Sequence, residues 1–118
     1  KKILTENANI LIMGLTFKEN CPDHRNTRVI DLVKSFKDFN CNVDVYDPWV
    51  NKDQATAEYN IHLINKPIKD NYDAIIIAVA HDEFKLLSEK QIRAFGKVNH
   101  VLYDIKYLLK TNESDGRL

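Results

Sequence analysis

Two cations sit where chemistry on an anion would begin. In the stretch Gly14-Leu15-Thr16-Phe17-Lys18-Glu19-Asn20-Cys21-Pro22-Asp23-His24-Arg25-Asn26-Thr27, Lys18 offers a compact ammonium and Arg25 a forked guanidinium. Both are natural ligands for phosphate oxygens. A run with helical apolar spacing follows directly, and the amino end of a helix also favours anions. Each charge-assisted hydrogen bond to a phosphate would contribute roughly 1.5 to 3 kcal/mol. On spacing alone the two residues read equally well as solvated loop charges, with Arg25 paired to Asp23. Asp23 could orient Arg25 or cap the following helix, and the structural role is the simpler one.

The remaining candidates stand just after apolar runs. Asp47-Pro48 closes one such run. An acid in that place binds ribose in dinucleotide folds, but Asp-Pro after a strand is ordinarily a turn. His81-Asp82 follows the most apolar run and could face a ligand, although a turn histidine bonded to backbone is the plainer reading. Asp104 and Lys106 could pair with each other or touch a nucleotide. Trp49 could stack on a base, while packing beneath the long loop is the safer expectation. Cys21 and Cys41 lack the CxxC spacing of a zinc or redox site, so reduced, structural thiols and no metal are expected. No GxGxxG and no GxxxxGK[ST] is present. A diphosphate would therefore be held mainly by side chains rather than by a backbone cradle.

These residues need a scaffold that gathers them, and the apolar pattern supplies one. Asn9 to Met13, closed by Gly14, reads as a strand buried on both faces. Residues 15 to 26 have no apolar period and form an unusually long loop between strand and helix. A helix should begin near Asn26 or Thr27, with Val29, Ile30, Leu32, Val33, Phe36 and Phe39 on one stripe. Asn40 can close it in a left-handed cap. Val43, Val45 and Tyr46 make a second strand, and proline stops it. The weakly patterned segment 49 to 69 allows a short helix over 53–58 and a short strand over 61–63. Tyr72 to Ala80 is the strongest strand. Ser88-x-x-Gln91 resembles a capping box that opens a helix through Leu87, Ile92 and Phe95 to Gly96, and His100 to Tyr103 is a further strand.

Strands alternating with helices imply an α/β, Rossmann-like three-layer domain, with a mainly parallel sheet and helices on both faces. In such sheets ligands lie outside the carboxyl ends of the strands, which would bring the candidates above to one rim.

Composition narrows the function classes. The chain has 118 residues, 44% of them apolar, and seventeen basic side chains balance seventeen acidic ones. One core is expected, burying roughly two-thirds of the unfolded surface. The zero net charge gives no overall field toward nucleic acid or an anionic membrane. The longest apolar run, Ala74 to Ala80, is too short to cross a bilayer, and no signal-peptide pattern opens the chain. A cytoplasmic location is the expectation. Lys1 in place of an initiator Met suggests a piece of a longer polypeptide.

The long first motif resembles the opening of the carboxy-terminal domain in the UDP-glucose/GDP-mannose dehydrogenase family. Val45-Tyr46-Asp47-Pro48, Ala78-Val79-Ala80-His81-Asp82-Glu83-Phe84 and Tyr103-Asp104-Ile105-Lys106 are similar to its later landmarks, in the same order. The wording from Thr16 to Asp23 is closest to the bacterial UDP-N-acetylhexosamine 6-dehydrogenases of surface-polysaccharide pathways. The resemblance implies that residues 1–118 are the UDP-sugar-binding domain of an enzyme whose NAD and central dimerisation domains lie elsewhere. Such enzymes are homodimers or larger, and they oxidise a C6 alcohol to a carboxylate in two NAD-dependent steps through a cysteine thiohemiacetal. It further implies that Phe17 and Lys18 approach the substrate and that Arg25 reaches NAD.

The family's Gly-Gly-x-Cys nucleophile segment does not occur here, so no catalytic residue is expected in this stretch and the isolated domain should be inactive. Arg117 resembles part of the family's closing segment, at a terminus expected to be mobile. Two rivals compete with this reading. A response-regulator receiver would need an acidic cluster after the first strand and an aspartate ending the third, and Gly14-Leu15-Thr16 and His81 stand there instead. A non-catalytic nucleotide-binding regulatory module stays open on the sequence.

Overall fold

A computed structural model describes residues 6–16, 18–22, 27–53, 60–105 and 115–117. The elements are β1 (Asn9–Met13), α1 (Thr27–Asp38), β2 (Asn42–Tyr46), β3 (Tyr72–Ile77), α2 (Asp82–Lys85), α3 (Glu89–Arg93), β4 (Gly96–Asp104) and β5 (Gly116–Arg117). The strands form one sheet in the order β2-β1-β3-β4-β5, and every pairing is parallel. This is a doubly wound order whose direction reverses between β1 and β3, the place where such sheets open a crevice at their carboxyl ends.

Alternation along β1 divides the core in two. Ile10 and Ile12 face one side with Val43, Val45, Ala74 and Ile76, where Val29 and Val33 of α1 cover them. Leu11 and Met13 face the other side with Tyr72, Ile75, Ile77 and Leu102, beneath Phe84 of α2 and Ile92 of α3. Burying a side chain such as Val33 contributes about 1.5 to 3 kcal/mol, so these two layers carry the fold.

The end of α1 follows the sequence expectation. Asn40 adopts a left-handed φ of 62°. Its N–H donates to Lys37 O at 2.9 Å, and Cys41 N–H donates to Phe36 O at 3.0 Å. That pair of bonds is a Schellman closure, with Cys41 and Phe36 meeting in the core beneath it. Phe39, assigned to the apolar stripe, lies past the last helical turn and is 56% exposed.

Other boundaries shift for physical reasons. The expected strand 72–80 ends at Ile77, because Ala78 and Val79 turn over Gly14, and both their N–H groups donate to Met13 O. The expected strand 61–63 is reduced to one parallel bridge, Val45 to Leu63. Lys52 and Asp53 are helical, and the rest of the expected helix over 53–58 lies outside the described residues. The capping box forms as expected: Ser88 N–H donates to Gln91 Oε1 at 2.8 Å and Gln91 N–H donates to Ser88 Oγ at 3.2 Å. Its helix stops at Arg93 because Gly96 already belongs to β4.

The end that carries Arg117, expected to be mobile, forms the short strand β5 beside β4. Leu102 N–H donates to Asp115 Oδ2 and Asp115 N–H donates to Leu102 O, both at 2.7 Å. Arg93 of α3 grips the same carboxylate through both of its oxygens at 3.2 Å. Burial works to raise the Asp115 carboxyl, but the bonds from Arg93 and the Leu102 N–H outweigh it and hold the group below its ordinary range.

Candidate functional site

At the reversal point, β1 hands over to its loop through Gly14, whose φ is +108°. A Cβ there would lie 2.5 Å from Val79 Cβ, so only glycine lets the exits of β1 and β3 cross this closely. The close crossing brings the residues that follow β1, β2 and β3 within bonding distance of one another.

Asp47, directly after β2, is the hub. Its Oδ2 accepts from Leu15 N–H at 2.7 Å, Thr16 N–H at 3.1 Å and His81 Nε2 at 2.9 Å. Its Oδ1 accepts from Trp49 N–H at 2.8 Å. Four donors converge on it, so the group acts as an acceptor throughout. The Trp49 bond is the turn expected of Asp47-Pro48, while the three bonds at Oδ2 go well beyond a turn. In dinucleotide folds, amides just after the first strand face a pyrophosphate. Here the protein's own carboxylate occupies the amides of Leu15 and Thr16.

His81, directly after β3, is fully buried. Asn20 N–H donates to its Nδ1 at 2.9 Å, which makes Nδ1 the acceptor nitrogen and leaves the proton on Nε2. That Nε2–H lies 2.9 Å from Asp47 Oδ2 and 3.0 Å from Thr16 Oγ1. The Thr16 hydroxyl meets it as an acceptor, because its own proton goes to Lys18 O at 2.9 Å. The expected bond to backbone is therefore present, but the ring is enclosed and presents no face to a ligand. Trp49 stacks over it at a centroid distance of 6.0 Å, and Phe84 meets it edge-on at 5.4 Å. Trp49 thus packs on His81, and its indole N–H donates to Glu83 Oε1 at 3.0 Å. Burial pushes the nearby Tyr46 phenol up, aided by the charges of Glu83 and Asp47.

The network ties Thr16 to Lys18 and Asn20. Asn20 takes a left-handed φ of 56°, a conformation that asparagine tolerates. Its Oδ1 accepts from Asp82 N–H at 2.9 Å, tying the turn to the start of α2. Lys18 lies inside this turn and is exposed. Among the described residues its ammonium makes no hydrogen bond or ion pair.

Of the residues singled out from sequence, Lys18, Asp47, His81 and Trp49 meet at one end of the sheet. Phe17, Asp23, Arg25 and Lys106 lie outside the described residues. Asp104 is buried on β4, and Arg117 pairs opposite it on β5. Cys21 is a half-buried free thiol; Cys41 is buried, and burial raises its thiol pKa with the charge of Asp73 adding to the effect. Among the described residues no cluster of histidine, cysteine and carboxylate side chains could hold a metal, and no helix is long and apolar enough to cross a membrane. Sequence reasoning missed the coupling of Asp47 to His81. No local pattern pairs them, because both follow strands that come to flank β1 only in the folded sheet.

Comparison with known proteins gives a consistent result. Residues 11–111 match the UDP binding domain of the UDP-glucose/GDP-mannose dehydrogenase family. The whole chain aligns at 52% identity with a UDP-N-acetyl-D-glucosamine 6-dehydrogenase of Pseudomonas aeruginosa and at 50% with one of Salmonella typhi. It spans 28% of the length of each. A UDP-glucose dehydrogenase structure from Pyrobaculum islandicum superposes with a TM-score of 0.72 at 22% identity, over 96% of this chain and 25% of that one. An NDP-N-acetyl-D-galactosaminuronic acid dehydrogenase structure from Methanosarcina mazei gives 0.76 at 19% identity, over 92% of this chain and 22% of that one. At these identities the two structures bear on the fold alone.

Proposed function

Since the chain belongs to the UDP-glucose/GDP-mannose dehydrogenase family and matches its UDP binding domain, we propose that it binds the UDP-sugar for an NAD-dependent nucleotide-sugar 6-dehydrogenase. The complete enzyme would oxidise the C6 alcohol to a carboxylate in two steps, supplying precursors for surface polysaccharide. The names of the relatives that align over the whole chain favour UDP-N-acetyl-D-glucosamine as the sugar nucleotide. We further propose that the complete enzyme is cytoplasmic and a homodimer or larger.

The observation that carries this reading is an exposed Lys18 on a turn held by partly buried bonds at the switch point of the sheet. A cation in that place can approach a diphosphate without first shedding a protein partner among the described residues. Phe17 beside it is assigned to the same substrate, and Arg25 to NAD, from outside the described residues. The chain does not fit the role of dinucleotide cradle, since Asp47 already engages the Leu15 and Thr16 amides. Apart from Arg25, NAD binding is therefore assigned to other parts of the enzyme, as is the reacting cysteine.

The test is a titration of the 118-residue chain with UDP, followed by amide NMR. The expected result is a perturbation centred on Lys18 with an affinity near millimolar, about 4 kcal/mol, that disappears in Lys18→Ala. Unchanged spectra at several millimolar UDP would remove the assignment.

A further inference from the structure

His81 has no ligand-facing surface, yet both of its nitrogens are committed to the turn that carries Lys18. On one side of the ring, Nδ1 accepts from Asn20 N–H at 2.9 Å. On the other, Nε2–H reaches Thr16 Oγ1 at 3.0 Å, and the same hydroxyl donates to Lys18 O at 2.9 Å. One imidazole therefore bridges both ends of the turn from Thr16 to Asn20, and the carboxylate of Asp47 anchors it from below at 2.9 Å. A histidine that merely filled the core would gain nothing from this arrangement over an apolar side chain, because burying two ring nitrogens costs free energy unless each is bonded.

We propose that His81 is a positioning residue for nucleotide binding: it holds Thr16 and residues 18–20 so that Lys18 is presented to the diphosphate, and it makes no contact with the ligand itself. The idea rests on the reading that Lys18 grips UDP. Through Asp47 and Trp49, the turn is also coupled to the end of β2, so the exits of β1, β2 and β3 set the place of one ammonium together.

The experiment uses the complete dehydrogenase carrying this domain, with UDP as competitive inhibitor, so that Ki reads the nucleotide contact whatever the sugar. His81→Gln can keep a donor toward Asp47 at the Nε2 position, but it places its acceptor oxygen away from the Nδ1 position that Asn20 N–H meets. It should raise Ki about three- to tenfold, the loss of one hydrogen bond's contribution, with KM rising more than kcat falls. His81→Asn, whose side-chain oxygen can stand in for Nδ1, should recover part of that loss. In the Lys18→Ala background, His81→Gln should add nothing further, since it acts only through Lys18. If Lys18→Ala raises Ki and His81→Gln either leaves Ki alone or multiplies with it, His81 has no positioning role while the reading of Lys18 stands. If Lys18→Ala itself leaves Ki unchanged, that reading fails and this one with it. Should His81→Gln not fold, Thr16→Val takes its place in the same cycle, because it removes the hydroxyl linking the ring to Lys18 O.

Discussion

Asp47→Asn keeps the shape of the hub while removing its charge and converting one acceptor oxygen into a donor. Asparagine has two ways to sit. With its oxygen at the Oδ2 position, three donors stay satisfied and the new NH2 faces Trp49 N–H; the flipped amide would oppose all three instead. The first arrangement wins and leaves one backbone donor unmet, at about 1 to 3 kcal/mol. The bonds from Leu15, Thr16 and His81 also fall from charge-assisted to neutral, a loss of about 1 kcal/mol each. Against these losses stands relief from burying a charge, a penalty of several kcal/mol for a lone ion, reduced where the ion is well bonded. A net destabilisation of about 2 to 3 kcal/mol is expected, or a fall in Tm of roughly 8 to 12 °C for a domain of this size. Circular dichroism melts measure it, and emission from Trp49, the one tryptophan in the chain, reports whether the ring still stacks on His81. A Tm within about 2 °C of wild type, with Leu15 and Thr16 amides still protected from exchange, would show that the carboxylate does not anchor these amides.

Three further outcomes follow from bonds elsewhere. The folded Asp115 carboxyl lies below its ordinary 3.8, so its stabilisation is complete above that pH and is lost as pH falls through the folded value. Asp115→Asn should cost about 1 kcal/mol at neutral pH after allowance for solvent screening, and progressively less as the pH falls below 3.8, as melts across that range would show. Burial, with a 2.7 Å bond to Asp44 Oδ2, drives the Tyr72 phenol well above its ordinary 10.0. Its contribution is therefore full below pH 10 and drains as pH climbs through the folded value. Tyr72→Phe should cost about 1 kcal/mol at neutral pH and lessen the alkaline loss, seen in urea midpoints at pH 7 and pH 11. Gly14→Ala combines a φ of +108° with a Cβ 2.5 Å from Val79 Cβ. It should cost about 3 to 5 kcal/mol, and a urea midpoint near that of wild type would contradict the crossing described.

The parts of the fold set by local pattern were legible in the sequence: β1 from its unbroken apolar run, the Ser88 box from its spacing, the end of α1 from Asn40. The parallel sheet followed from the alternation of elements. What escaped depends on partners far apart in the chain. β5 is two residues long and docks through Asp115 on Arg93 and Leu102, which no window of sequence displays. α2 is a single turn with too few residues for a period. Lys18 could be singled out by type and position, but Asp47 and His81 looked like separate turn residues, because their meeting requires β2 and β3 to flank β1. Strand order is a property of the whole sheet, and side-chain type alone does not encode it.

The carboxylate lodged against the first amides of the β1 loop has a consequence for binding. A loop awaiting a phosphate must be ordered when the ligand arrives, and that lost freedom is subtracted from affinity. Here a tethered anion is present from the moment the domain folds, so the ordering of the turn is charged to folding instead. Under the proposed function, the nucleotide would then meet amides already held in place, and even a modest contact by Lys18 would count almost in full.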